Sequence, residues 1–133
     1  MQQTIAQVTL LVHDYDETIA FYTQKLGFTL VEDSTLSETK RWVVVGSKDN
    51  VGCKLLLAKA SDTEQKSRVG NQTGGRVSFF LYTDDFNTYY RHLITNNVEI
   101  IREPVAEPYG LVAVFADLYG NLWDLIEPVN QKL

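Results

Sequence analysis

Asp14-Tyr-Asp-Glu-Thr-Ile-Ala-Phe-Tyr-Thr-Gln-Lys-Leu-Gly27 is the stretch on which the fold turns. Tyr15, Ile19, Tyr22 and Leu26 recur at steps of three and four, the spacing of one apolar helix face. Asp14 precedes that face as an N-cap, and Gly27 follows it as the residue best able to take left-handed backbone beyond a helix end. Upstream, Val8, Leu10 and Val12 alternate with Gln7 and Thr9, the period of a strand with one face on a core. Downstream, extended stretches are expected at Thr29 to Glu32, Arg41 to Val45 and Cys53 to Leu57, with turn-formers from Gly46 to Asn50. One strand, one helix and three strands make a βαβββ unit.

The pattern then starts again. Val77, Phe79 and Leu81 alternate with Ser78 and Phe80, and Asp84 opens a second amphipathic stretch carrying Phe86, Tyr89, Tyr90 and Leu93, ending at Asn96-Asn97. Strands are expected at Glu99 to Arg102, Leu111 to Ala116 and Leu122 to Glu127, the last two joined by the hairpin connection Asp117-Leu-Tyr-Gly-Asn121. Asp14 to Asp84, Gly27 to Asn97, Phe28 to Val98 and Lys54 to Asp124 are each separated by 70 residues, as duplication of the unit predicts. Between the halves, Ala58 to Gly75 is polar and aperiodic and reads as a linker. The expected architecture is α+β: one domain over residues 1–133, with a first module over about 1–58, a linker over about 58–75 and a second module over about 76–133.

Of the 133 residues 44% are hydrophobic and 22% charged, the balance of a folded globular chain. Lys plus Arg is 12 against 17 Asp plus Glu, a net charge of −5, which argues against nucleic acid as a partner. The single cysteine, Cys53, excludes an internal disulfide and a Cys-rich zinc module. Met1-Gln-Gln-Thr-Ile-Ala-Gln-Val8 has no basic n-region, and no apolar run approaches the roughly 18 residues of a membrane span. A cytoplasmic protein that does not enter membranes is expected.

Leu11-Val-His-Asp14 with Ala20-Phe-Tyr-Thr-Gln-Lys-Leu-Gly-Phe28, the repeat offset, and Val114-Phe-Ala-Asp-Leu-Tyr-Gly-Asn-Leu-Trp-Asp-Leu-Ile-Glu127 together resemble the vicinal oxygen chelate superfamily, the group of glyoxalase I, bleomycin-resistance proteins and extradiol dioxygenases. The resemblance implies the glyoxalase/bleomycin resistance/dihydroxybiphenyl dioxygenase fold, in which two βαβββ modules form a curled mixed-sheet cup, often completed by a homodimer. In its enzymes four side chains hold a divalent metal, one on the first and one on the last strand of each module. The first of those positions falls on Gln7 and the second on Lys54 or Leu56. The third falls on Ser78 or, by strict offset, Val77, and the fourth on Asp124. Gln7 and Asp124 are the only metal-ligand candidates, and metal sites normally take at least three protein donors. No metal or other cofactor is therefore expected.

Strand parity places Gln7, Thr9, Lys54, Leu56, Ser78, Phe80, Leu122 and Asp124 on the face opposite the helices, a mixture of apolar and polar groups suited to a small-molecule ligand. Two arrangements of the charges are open: Lys54 reaches solvent while waters or backbone satisfy Asp124, or the Lys54 ammonium stands where a metal would and pairs with Asp124, with Gln7 as a further acceptor. Cys53 falls on the core parity and is expected to be buried. His13 and His92 read as surface histidines, Arg76 as an exposed arginine, Tyr109-Gly110 as an ordinary turn, and Phe86, Tyr89 and Tyr90 as core packing. The function expected is a metal-independent protein that binds or sequesters a small molecule. The alternative is a metal-dependent lyase or dioxygenase of the glyoxalase or extradiol dioxygenase type, holding its metal through Gln7, Asp124, waters and one further ligand. A regulatory module without a ligand ranks third.

Overall fold

Capping and strand alternation divide the chain into the same elements that the computed structural model shows over residues 1–129. β1 is Gln7–Val12, α1 is Tyr15–Ala20 continuing into a π-helical turn at Phe21–Lys25, β2 is Thr29–Thr35, β3 is Arg41–Gly46, β4 is Lys54–Lys59 and α2 is Thr63–Arg68. β5 is Phe79–Tyr82, α3 is Phe86–Thr95, β6 is Glu99–Glu107, β7 is Gly110–Ala116 and β8 is Leu122–Pro128. The chain falls into two units, Met1–Gly70 and Asn71–Leu133. Each holds an open four-stranded mixed sheet, in the order β1-β4-β3-β2 and β5-β8-β7-β6, so the fold is α+β.

Local hydrogen bonds set both helix ends. Asp14 caps α1 by accepting from the Glu17 backbone N–H at 2.8 Å, and the buried Thr18 hydroxyl donates to the Asp14 carbonyl at 2.7 Å. The far end closes through bonds from Leu26 N to Phe21 O and from Phe28 N to Tyr22 O around Gly27 at φ 74. In the second unit the cap is Asp85, one residue later than the expected Asp84, and Asn97 takes the left-handed role at φ 59. The Phe86 N–H of α3 also donates to the Glu127 carboxylate on β8 at 2.8 Å, which fixes the helix start to the sheet. Under α1 lie Leu10, Val12, Val43, Val45, Leu55 and Leu57, all buried with Tyr22 and Leu26. Beneath α3, Phe115 stacks on Trp123 at 5.9 Å with Ala113, Leu125, Phe86 and Leu93 buried around them. Val8, expected in the core, is 42% exposed because β1 is an edge strand.

Four differences from the sequence reading have physical causes. The stretch expected to be a linker carries α2, built by the Asp62 cap on Gln65 N, by Ser61 donating to the Gln65 side chain and by the Arg68–Glu64 pair at 3.0 Å. None of its residues is buried, so it has no apolar period to read. β2 runs past the expected Glu32 to Thr35, because a register shift between Leu30 and Glu32 breaks the alternation. β6 runs past Arg102 to Glu107 through Pro104, which an edge strand with register shifts tolerates. Cys53 precedes β4 and is exposed, not buried.

Arg41 ties the first unit together at the start of β3. Its guanidinium bridges Asp33 at 2.7 Å and Asp16 at 2.9 Å and lies 5.1 Å from the centre of the Tyr15 ring. The hydrogen bonds it donates to the two carboxylates hold its charged form even more firmly than usual. In the second unit, Asp117 accepts from the Tyr119 and Asn121 backbone N–H groups and from the Asn121 side chain, shaping the β7–β8 connection.

Gly110 opens β7 at φ 153, and a Cβ there would overlap the Glu127 carbonyl oxygen and come within 3.1 Å of Pro128 Cα. Gly110→Ala should therefore destabilise by about 2 kcal/mol or more, read as a lower denaturation midpoint at unchanged slope.

Candidate functional site

The parallel pairing of first and last strands decides which side chains stand together. In the first unit Gln7 pairs with Lys54 and Thr9 with Leu56. The antiparallel neighbour places Val44 opposite Leu56, and Trp42 and Gly46 share that face by period two. Gln7, Lys54 and Leu56 are half-buried and Thr9 is exposed. The Lys54 ammonium reaches the Gly52 carbonyl at 3.4 Å.

In the second unit Phe80 pairs with Asp124 and Tyr82 with Ile126, while Ser78 N donates to Leu122 O at 2.9 Å just ahead of β5. β7 sets Ala116, Val114 and Val112 opposite Leu122, Asp124 and Ile126. β6 adds Arg102 opposite Val114 and Glu99 opposite Ala116. One transverse row therefore reads Arg102, Val114, Asp124, Phe80. Asp124 is half-buried and, among the described residues, accepts no hydrogen bond and joins no ion pair. Burial pushes its carboxyl pKa above the usual value, while the Arg102 charge pulls the other way. Arg102 itself is bound to Glu107 at 2.9 Å. Phe80 and Tyr82 are 61% and 49% exposed.

Gln7, Thr9, Lys54 and Leu56 in the first unit and Phe80, Leu122 and Asp124 in the second thus lie on the faces that parity assigns, while Ser78 stands just ahead of β5. The uniform offset of 70 between the units does not hold along the last strands. β1 and β4 partners are 47 residues apart and β5 and β8 partners 44, so once strand face matches Thr9 with Phe80, 71 residues on, Leu56 corresponds to Asp124 and Lys54 to Leu122, each 68 residues on. Neither Lys54 in the first unit nor Asp124 in the second takes part in the four ion pairs of the described residues. Tyr82 belongs to the second face and was legible two residues along from Phe80, whereas Trp42 and Val44 lie on β3, whose nearly continuous burial carries no alternation to assign a face. Arg102 was not legible either, because the register shift between Ile100 and Arg102 rotates it onto the face.

His13 and Arg76 are exposed, and His92 stacks on Tyr89 with ring centres 5.8 Å apart. Phe86 stacks on Tyr90 at 5.9 Å, as expected of helix packing. Among the described residues no three His, Cys, Asp or Glu side chains gather as metal ligands, and no helix is long and apolar enough to cross a membrane. A cavity of about 250 Å³ near Gly110 and Pro128 includes Glu107 and Glu127, but Arg102 and the Phe86 N–H already engage those carboxylates.

Against known proteins, residues 4–125 match the Glyoxalase/Bleomycin resistance protein/Dioxygenase superfamily. An uncharacterized protein of Shewanella frigidimarina is 51% identical over 133 residues, covering 99% of this chain and 98% of that protein. Among solved structures, UcmS2 superposes with a TM-score of 0.83 at 33% identity, over 96% of this chain and 99% of that one. TnmS3, an antibiotic binding protein from Streptomyces sp. CB03234, superposes with a TM-score of 0.76 at 24% identity, over 96% of this chain and 97% of that one.

A carboxyl whose pKa is raised on folding opposes stability once pH exceeds the folded value, and the penalty vanishes below the unfolded value. Asp124→Asn is therefore expected to raise the melting temperature at neutral pH, and the gain over the parent should fade as pH drops through the carboxylate range. Melting curves of both proteins across that range check the sign.

Proposed function

The chain belongs to the Glyoxalase/Bleomycin resistance protein/Dioxygenase superfamily, and on that premise we propose that it binds and sequesters a small, largely apolar molecule on these strand faces without a metal. The register carries the reading. It sets Leu56, which has no donor atom, where the other unit has Asp124, and Gln7 beside the ammonium of Lys54. A divalent cation needs about three or more oxygen or nitrogen donors from the protein. The donor chemistry of Gln7, Lys54, Leu56, Ser78 and Asp124 does not suit one. Each face does offer apolar area, Leu56 and Val44 in the first unit and Phe80 and Leu122 in the second, with a few polar groups to orient a ligand. TnmS3 binds an antibiotic on the same fold, which supports a ligand of that kind here.

A homodimer in the cytoplasm fits the same reading. The outer strands β2 and β6 leave Leu30, Val31, Ile101 and Val105 exposed along open sheet edges, which a second copy would cover. A lone, exposed Cys53 suits a reducing compartment.

Protein purified without chelator should contain no stoichiometric divalent metal and should melt identically with and without EDTA. A bound equivalent of metal, or destabilisation by EDTA, would return the lyase or dioxygenase reading. In a thermal-shift screen of antibiotic-like compounds, a true ligand at 100 times its dissociation constant adds about 2.7 kcal/mol of stability. Sedimentation should give a particle of twice 15.1 kDa, and a monomer at tens of micromolar would remove the dimer.

A further inference from the structure

Asp124 sits on β8, an interior strand of the second sheet, with Leu122 and Ile126 beside it along the strand and Val114 and Phe80 across from it. A half-buried carboxylate in apolar company normally recruits donors from the protein, yet among the described residues this one accepts none. Arg102 is the cation nearest to it in the row, but Val114 lies between them and the guanidinium is already matched to Glu107 at 2.9 Å. Glu99 shares the face through Ala116, so Glu99, Glu107 and Asp124 outweigh the single Arg102 and the surface is net negative. Next to Asp124 on the outer strand β5, Phe80 and Tyr82 expose their rings without a ring partner among the described residues. The π faces of such rings attract cations, and their area suits an apolar body.

We propose that this face of the second unit is a site for an organic cation, an aromatic or alkyl ammonium whose nitrogen is held by Asp124 and whose body lies on Phe80 and Tyr82. The proposal rests on the small-molecule reading above and narrows it to a charge class. An anionic ligand would meet the carboxylates, and a neutral one would leave the Asp124 charge uncompensated. The net charge of −5 on the whole chain favours the approach of the same class.

Three shape-matched probes test it: 2-phenylethylamine, 2-phenylethanol and 3-phenylpropionate, titrated into the full chain at pH 7 and followed by NMR shifts of the β5 and β8 amides. The amine should bind about tenfold or more tightly than the alcohol, and the carboxylate weakest of all. Asp124→Asn, expected to be at least as stable as the parent, should abolish the preference for amine over alcohol. Phe80→Ala should weaken both and leave their ratio intact. The inference is overturned if the alcohol matches the amine, if the preference survives Asp124→Asn, or if the amine moves no β5 or β8 amide. Equal binding of amine and alcohol on these strands would still leave the small-molecule reading standing, whereas that reading falls on the metal measurements.

Discussion

The parallel pairing of the first strand of each unit with its last is the constraint from which the rest of the molecule follows. Two parallel strands cannot be joined by a tight turn, so the chain must leave the sheet through a helix and return through two antiparallel strands before the pair can close. The caps at Asp14 and Asp85 and the left-handed residues Gly27 and Asn97 set the length of each excursion. The register that results puts Thr9 beside Leu56 and Phe80 beside Asp124. A slip of one residue would turn Asp124 into the helix-packed core and Trp123 out of it, which the burial of Trp123, Phe115 and Leu125 forbids.

Charge is handled differently in the two units. Arg41 in the first has every feature of a structural cation: two carboxylates within 2.9 Å, an aromatic ring beneath it and a place where strand and helix must be joined. Asp124 in the second is the reverse, a half-buried carboxylate that finds no donor among the described residues. Folding alone does not account for such a group, since an amide or an apolar side chain would fit the strand at lower cost. Such a group is what the proposed cation site would use, since a bound ammonium would offset the cost of its burial.

The proposed metal-free reading rests on the side chains that the strands carry. The superfamily fold is present over nearly all of it, but fold places strands and leaves the choice of side chain open. At the strand positions facing away from the helices, the first unit presents an amide, an ammonium and a leucine, and the second a hydroxyl, a phenyl ring and a carboxylate. That inventory serves recognition of a molecule with an apolar body and a polar handle better than coordination of an ion.

What announces itself as an apolar period with a stop signal was legible in the amino-acid sequence. The apolar helix face from Tyr15 to Leu26, the Gly27 stop and the alternation in β1, β4, β5 and β8 are properties of local periodicity and capping, and so was the division of side chains between two sheet faces. α2 escaped because caps and an ion pair build it without an apolar stripe, and β2 and β6 escaped in part because register shifts interrupt their period. Which residue stands opposite which was a matter for the tertiary structure alone. Register is set by cross-strand hydrogen bonds and by the length of chain between partners, 47 residues in one unit and 44 in the other, and no local pattern reports that difference. That is why a uniform offset of 70 matched Asp124 with Lys54, whereas the sheets match it with Leu56, set it among apolar neighbours and give its carboxylate no donor among the described residues.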